Sequence, residues 1–103
     1  MDKAILKRAI KRNAIEWQRH ALERMMERGI YRDEIMEVLL HGEIIEDYPD
    51  DKPYPSALIL GCIKNQPFHV VVALDSASCY CFIITAYKPD IYHFESNHKT
   101  RRQ

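Results

Sequence analysis

The stretch "RDEIMEVLLHGEIIEDY", Arg32–Tyr48, changes its hydrophobic period at Gly42, and that change decides the fold class. Before Gly42, Ile35, Val38 and Leu39 recur at three- and four-residue intervals, the spacing of one helix face. Asp33 and Glu34 stand in the first turn of that segment, where negative charge suits the helix dipole. After Gly42, "EIIEDY" has the β-branched content and short length of a strand. Helix therefore gives way to strand at this point, and the question becomes which period holds on either side.

Downstream the strand signal persists. "DDKPYPS" is a polar, proline-stiffened connection, and "ALILGCI" is a nearly wholly apolar second strand. "KNQP" is a turn, "FHVVVALD" a third strand, "SAS" a short loop and "CYCFIITAY" a fourth strand. "KPD" stops the sheet, leaving "IYHFESNHKTRRQ", residues 91–103, as a partly ordered basic tail. The short connections imply an antiparallel meander. Upstream the helical period holds. Ala4, Ile5, Leu6, Ala9 and Ile10 define a first helix over residues 2–12 with Asp2 as its cap, and Asn13-Ala14 breaks it. A second helix begins near Trp17 and ends at Gly29, a residue suited to a left-handed helix end. The expectation is a single α+β domain over residues 1–103, with two to three N-terminal helices packed on a four-stranded antiparallel sheet.

Composition narrows the class of protein. The chain's 103 residues suffice for one core, and 47% hydrophobic content argues against disorder. Three cysteines, Cys62, Cys79 and Cys81, all in strand-like surroundings, read as reduced thiols. The charged N-terminal segment lacks the apolar run of a signal peptide, and no stretch is long enough to span a membrane, so a cytoplasmic location without a membrane partner is expected. The net charge of zero hides segregation. Residues 1–32 hold nine Lys and Arg against four acids, residues 33–51 hold eight acids and no Lys or Arg, and residues 52–103 hold six bases against three acids. Such a distribution leaves a polyanionic partner open.

Chemistry has two places to sit. In "WQRHALERMMERG", Trp17–Gly29, His20, Arg24 and Arg28 fall four residues apart in one narrow arc of the helix. Arginine offers a planar fork of donors for phosphate, and histidine exchanges a proton near neutral pH. On "FHVVVALD", Phe68, Val70, Val72 and Leu74 should face the core, with His69 on the reverse face. A three-residue "SAS" hairpin would pair Asp75 with Cys79 and His69 with Thr85. That register gives a polar trio of His69, Thr85 and Tyr87, and an apolar face of Val71, Ala73, Cys79, Cys81 and Ile83 open to a partner or a second copy. No metal site is expected: Cys79 and Cys81 lie too far from His69 for one ion, and Glu43, Glu46, Asp47, Asp50 and Asp51 read as a solvated run. No cofactor motif is present.

The ordered motifs "HALERMMERGI", "GEIIEDY", "PYPS", "LILG", "HVVVA", "IITAYKPD" and a closing "RR" resemble the domain-of-unknown-function 4258 family of bacteria and archaea, over the span from His20 to Arg102. In layout, helices followed by a curved antiparallel sheet, the chain is also similar to the RelE/ParE-like and BrnT-like toxins, with a RelE/barnase-like arrangement. That similarity implies a toxin-type, metal-independent endoribonuclease with RNA and an antitoxin protein as partners and no cofactor. His20 and His69 would be the acid and base, and Arg24 would hold the scissile phosphate. Thr85 and Tyr87 would orient that phosphate, and Arg28, Arg101 and Arg102 would bind the strand. The alternative is a non-enzymatic interaction module or homodimer.

Overall fold

The computed structural model describes residues 1–89; the expected tail of residues 91–103, with Arg101 and Arg102, lies outside them. The chain begins with helix α1 (Lys3–Lys11), capped by the Asp2 carboxylate, which accepts from the Ala4 and Ile5 amides at 2.9 and 3.3 Å. A three-residue strand β1 (Ile15–Trp17) follows, then α2 (Arg19–Arg28) and α3 (Arg32–His41). The remaining strands are β2 (Glu43–Tyr48), β3 (Ser56–Ile63), β4 (Gln66–Asp75) and β5 (Tyr80–Tyr87).

The expectation of helices followed by an antiparallel meander holds for β2 to β5, but the sheet has five strands in the order β1-β5-β4-β3-β2 and is mixed, because β1 joins β5 in parallel. Trp17, expected at the start of the second helix, instead pairs with the sheet opposite Ile83, and Ile15 before it lies opposite Cys81. A three-residue strand is too short to announce its period. Asn13, at φ 58°, turns the chain out of α1 and into this edge.

All three helices pack on one sheet face. Leu6, Ala9 and Ile10 of α1, Ala21 and Met25 of α2, and Ile35, Val38 and Leu39 of α3 close over Ala57, Ile59, Phe68, Val70, Val72, Leu74, Cys81, Ile83 and Ala86. The core alternation read from "FHVVVALD" is therefore the one observed. Gly29 ends α2 at φ 66°, its amide bonding back toward Met25 and Met26, and Ile30 bonds to the Met25 carbonyl at 2.9 Å. Gly42 lets α3 run straight into β2: a Cβ there would stand 2.4 Å from the Leu60 carbonyl oxygen.

The β4–β5 hairpin departs from the expected register. The loop has four residues, so Asp75 pairs with Tyr80 and not with Cys79. Cys79 takes a left-handed conformation at φ 55°, and the Asp75 carboxylate accepts from the Ala77 amide and the Ser78 hydroxyl. This one-residue slip turns Cys81 and Ile83 into the core, where both are fully buried. The open apolar face expected from Val71, Ala73, Cys79, Cys81 and Ile83 is therefore not formed. A bulge between Ile83 and Thr85 then shifts the register once more, so Val71 pairs with Thr85 and His69 with Tyr87. Two slips of one residue restore the original face. Thr85 and Tyr87 accordingly share a face with His69, as the sequence suggested, although His69 pairs with Tyr87 and not with Thr85.

Candidate functional site

β4 places His69 on the face away from the helices, between Leu60 of β3 and Tyr87 of β5. Its side chain is fully buried. The Nδ1 atom lies 3.4 Å from the Tyr87 hydroxyl, and the rings meet edge to face with centroids 5.3 Å apart. One step back along β5, Thr85 stands on the same face, opposite Val71. The expected trio of His69, Thr85 and Tyr87 is thus assembled.

β1 pairs only with Cys81–Ile83, so among the described residues no strand pairs with the rest of the β5 edge opposite β4, and α2, which continues directly from β1, packs along β5. Arg28, at the last turn of α2, donates to the Ala86 carbonyl at 2.8 Å and lies 3.4 Å from the Thr85 hydroxyl oxygen. The guanidinium satisfies backbone at the sheet edge and brings a fixed positive charge to the trio. Two contacts, Arg28 with Thr85 and Tyr87 with His69, therefore stand side by side on one sheet face, two residues apart along β5.

His20 and Arg24 stand elsewhere on the column. Arg24 pairs with Glu27 on its own helix at 3.1 Å. His20 is exposed and makes no hydrogen bond among the described residues; at 1.5 Å per residue it lies about 12 Å up the helix axis from Arg28. The structure gathers His69, Thr85, Tyr87 and Arg28, and it leaves His20 and Arg24 on the solvent side of α2.

The model of the domain of unknown function DUF4258 matches residues 17–88. The chain belongs to the DUF4258 family. No curated protein and no solved structure matches it. Within the DUF4258 domain the matched span takes in His20, Arg24, Arg28, His69, Thr85 and Tyr87, and α1 falls before it.

The DUF4258 domain has a second concavity that the sequence reading missed. On the same sheet face, near the hairpin end of β5, a cleft of about 260 Å³ opens beside the segment that joins β2 to β3. Glu16 and Gln18, Tyr54, Ala73, Phe82 and Ile84 line it. The Tyr54 and Phe82 rings stack with centroids 5.2 Å apart and planes 3° from parallel, and Tyr80 leans on Phe82 at 5.5 Å. The signal that could have exposed it is the alternation of "IEW": once β1 is a strand, Glu16 must share the face of Phe82.

The acidic run is spent on local contacts. Asp47 pairs with the terminal ammonium at 2.6 Å, Glu46 accepts from Tyr48, and Asp51 accepts from Ser56. Among the described residues, no group of three or more His, Cys, Asp or Glu is placed to hold a metal ion. Burial, reinforced by neighbouring Cys79, pushes the Cys81 thiol up to about 12, so it stays protonated. No helix among the described residues is long and apolar enough to cross a membrane.

Proposed function

We propose that this DUF4258 domain is a metal-independent endoribonuclease of the toxin type. The observation that carries the reading is the bonding of Arg28 to the strand that also holds Tyr87 against His69. Cleavage without metal needs a base to take the proton of the 2′-hydroxyl, cationic donors for the charged phosphorane, and an acid for the leaving oxygen. The 2′-oxygen attacks phosphorus, the bond from phosphorus to the 5′-oxygen breaks, and that oxygen receives a proton. The products are a 2′,3′-cyclic phosphate and a 5′-hydroxyl.

In this reading the Arg28 guanidinium holds the scissile phosphate beside the Thr85 hydroxyl. Tyr87 presents its hydroxyl to the same phosphate, and His69, buried behind it, holds that hydroxyl in place and exchanges its proton. His20, about 12 Å along the helix axis from Arg28, is out of hydrogen-bond reach of a phosphate held there, so the Tyr87–His69 pair both takes the proton of the 2′-hydroxyl and returns one to the leaving oxygen. Arg24 steadies the strand between His20 and Arg28, and Arg101 and Arg102, outside the described residues, bind its backbone. An antitoxin protein is the partner that such an activity requires in the cell.

The test is incubation of mixed RNA with excess EDTA and the wild-type, Arg28→Ala, His20→Ala and His69→Gln proteins. The expected result is cleavage by the wild type and its loss, by at least about a hundredfold, in Arg28→Ala and His69→Gln, with His20→Ala close to the wild type. Four folded proteins that all leave the RNA intact would remove the proposal.

A second reading, an interaction module or homodimer, has a specific support in a different place from the one the sequence suggested. An apolar groove of about 480 Å³ lies where α2 meets α3, lined by Leu22, Met25, Met26 and Ile30. At its rim Met26 is 82% exposed and Tyr31 71%. A mass of two chains by light scattering, reduced to one by Met26→Glu, is the outcome that favours it.

A further inference from the structure

We infer that the cleft between β1, β5 and the segment before β3 binds a purine base that presents two adjacent N–H donors on one edge, which is guanine. The inference deepens the ribonuclease reading by naming what the site selects. It rests on that reading only where the base is part of an RNA strand.

Size comes first. A cleft of about 260 Å³ is several times the ~30 Å³ that a water molecule occupies, and it falls below the ~300–1,000 Å³ of pockets that enclose larger ligands. One flat bicyclic ring fits that interval. Shape follows. Tyr54 and Phe82 stack on each other within 3° of parallel, and both line the cleft together with the apolar Ala73 and Ile84. An aromatic ring in the lining can stack on any base.

The rim selects among bases. Glu16 reaches the cleft from β1 and makes no hydrogen bond or ion pair among the described residues. The two acidic oxygens of a carboxylate accept side by side, so its natural partner is a pair of parallel N–H donors. Guanine has that pair on its Watson–Crick edge. Adenine and cytosine place a donor beside an acceptor there, and uracil has one donor between two acceptors. The Gln18 amide supplies a neutral group at the same rim, and Lys52 balances the local negative charge. Asp51 and Ser56 are bonded to each other.

Placement ties the cleft to the phosphate site. Ala73 pairs with Phe82 at the cleft, and Val71 pairs with Thr85, which Arg28 touches. Two residues of β4 separate the pairs, about 7 Å at 3.4 Å per residue. A base in the cleft and its own 3′-phosphate beside Arg28 then lie on one sheet face within the span of a nucleotide.

Calorimetric titration with the four nucleoside 3′-monophosphates, and with the pentanucleotides UUGUU and UUAUU, tests this. Guanosine 3′-monophosphate should bind at least about tenfold tighter than the other three, which is about 1.4 kcal/mol. Glu16→Gln, folded by circular dichroism, should erase that preference, and Tyr54→Ala should weaken all four nucleotides. Equal affinity of the wild type for the four, or an unchanged preference in Glu16→Gln, would overturn the inference. UUGUU binding well above the mononucleotide identifies a strand as the source, and equal binding identifies a free nucleotide. A guanine preference without RNA cleavage keeps the cleft and removes the ribonuclease. Cleavage after every base alike keeps the ribonuclease and overturns the cleft.

Discussion

Tyr87 is the residue at which position and chemistry meet, since its ring packs edge to face on His69 and its hydroxyl lies 3.4 Å from Nδ1. Replacing it with Phe keeps the ring and removes only the hydroxyl. The expected cost in stability is about 1 kcal/mol or more, read from urea melts, because the hydroxyl's contact with His69 is lost. The thiols give an independent check of the core. Cys62 is exposed, whereas Cys79 and Cys81 are buried. Iodoacetamide at pH 8 should therefore label Cys62 alone in the folded protein and all three in denaturant, counted by mass spectrometry; native labelling of Cys81 would contradict the register. Cys81 also sets a pH dependence. Its folded value of about 12 is raised above the ordinary 9.0, chiefly by burial, so the folded state binds this proton more tightly than the unfolded chain does. Its contribution is complete below pH 9 and is lost as pH rises toward 12, which should appear as a falling melting temperature over that window.

Among the elements, long periodic segments were legible and short or compensating ones were not. The helices α1 and α3 and the strands β2 to β5 follow their hydrophobic spacing, because each commits one face to the core. β1 escaped because three residues carry no measurable period and the apolar residues beside it suit a helix as well. The β4–β5 register escaped for a different reason. The four-residue loop uses Cys79 in a left-handed conformation, without the glycine or asparagine that would have marked it. The bulge at Ile84 likewise has no signature in "FIIT". Each event alone would have moved Tyr87 to the core face; together they return it to His69. Gly42 gives the element-scale prediction. Gly42→Ala would press a Cβ against the Leu60 and Val38 carbonyl oxygens at 2.4 and 2.5 Å, and the α3–β2 junction should lose about 2 kcal/mol or more in a denaturant titration.

Across the whole molecule, three helices cover one sheet face, and α2 runs along β5 so that its last arginine meets the reverse face, where Leu58, Leu60 and His69 are themselves buried. His69 points away from the helices, and Arg28 is the residue of α2 that reaches its face, at Thr85. The column contributes Arg28 to the site, and His20 and Arg24 remain on the solvent side. The candidate residues were readable as types and spacings; which of them meet depended on β1 ending at Trp17 and freeing the edge of β5. The cleft was not read from the sequence, since it joins Glu16, Tyr54 and Phe82 from three distant segments and shows only once β1 is known to be a strand. The account rests on Arg28, Thr85, Tyr87 and His69 acting together on a phosphodiester. The most direct measurement is a time course of RNA cleavage in EDTA by the wild-type and Tyr87→Phe proteins, with product ends read by phosphorus NMR. The account predicts 2′,3′-cyclic phosphate from the wild type and a rate at least about a hundredfold lower for Tyr87→Phe. Equal rates in the two proteins, or no cyclic phosphate from a folded wild type, would contradict it.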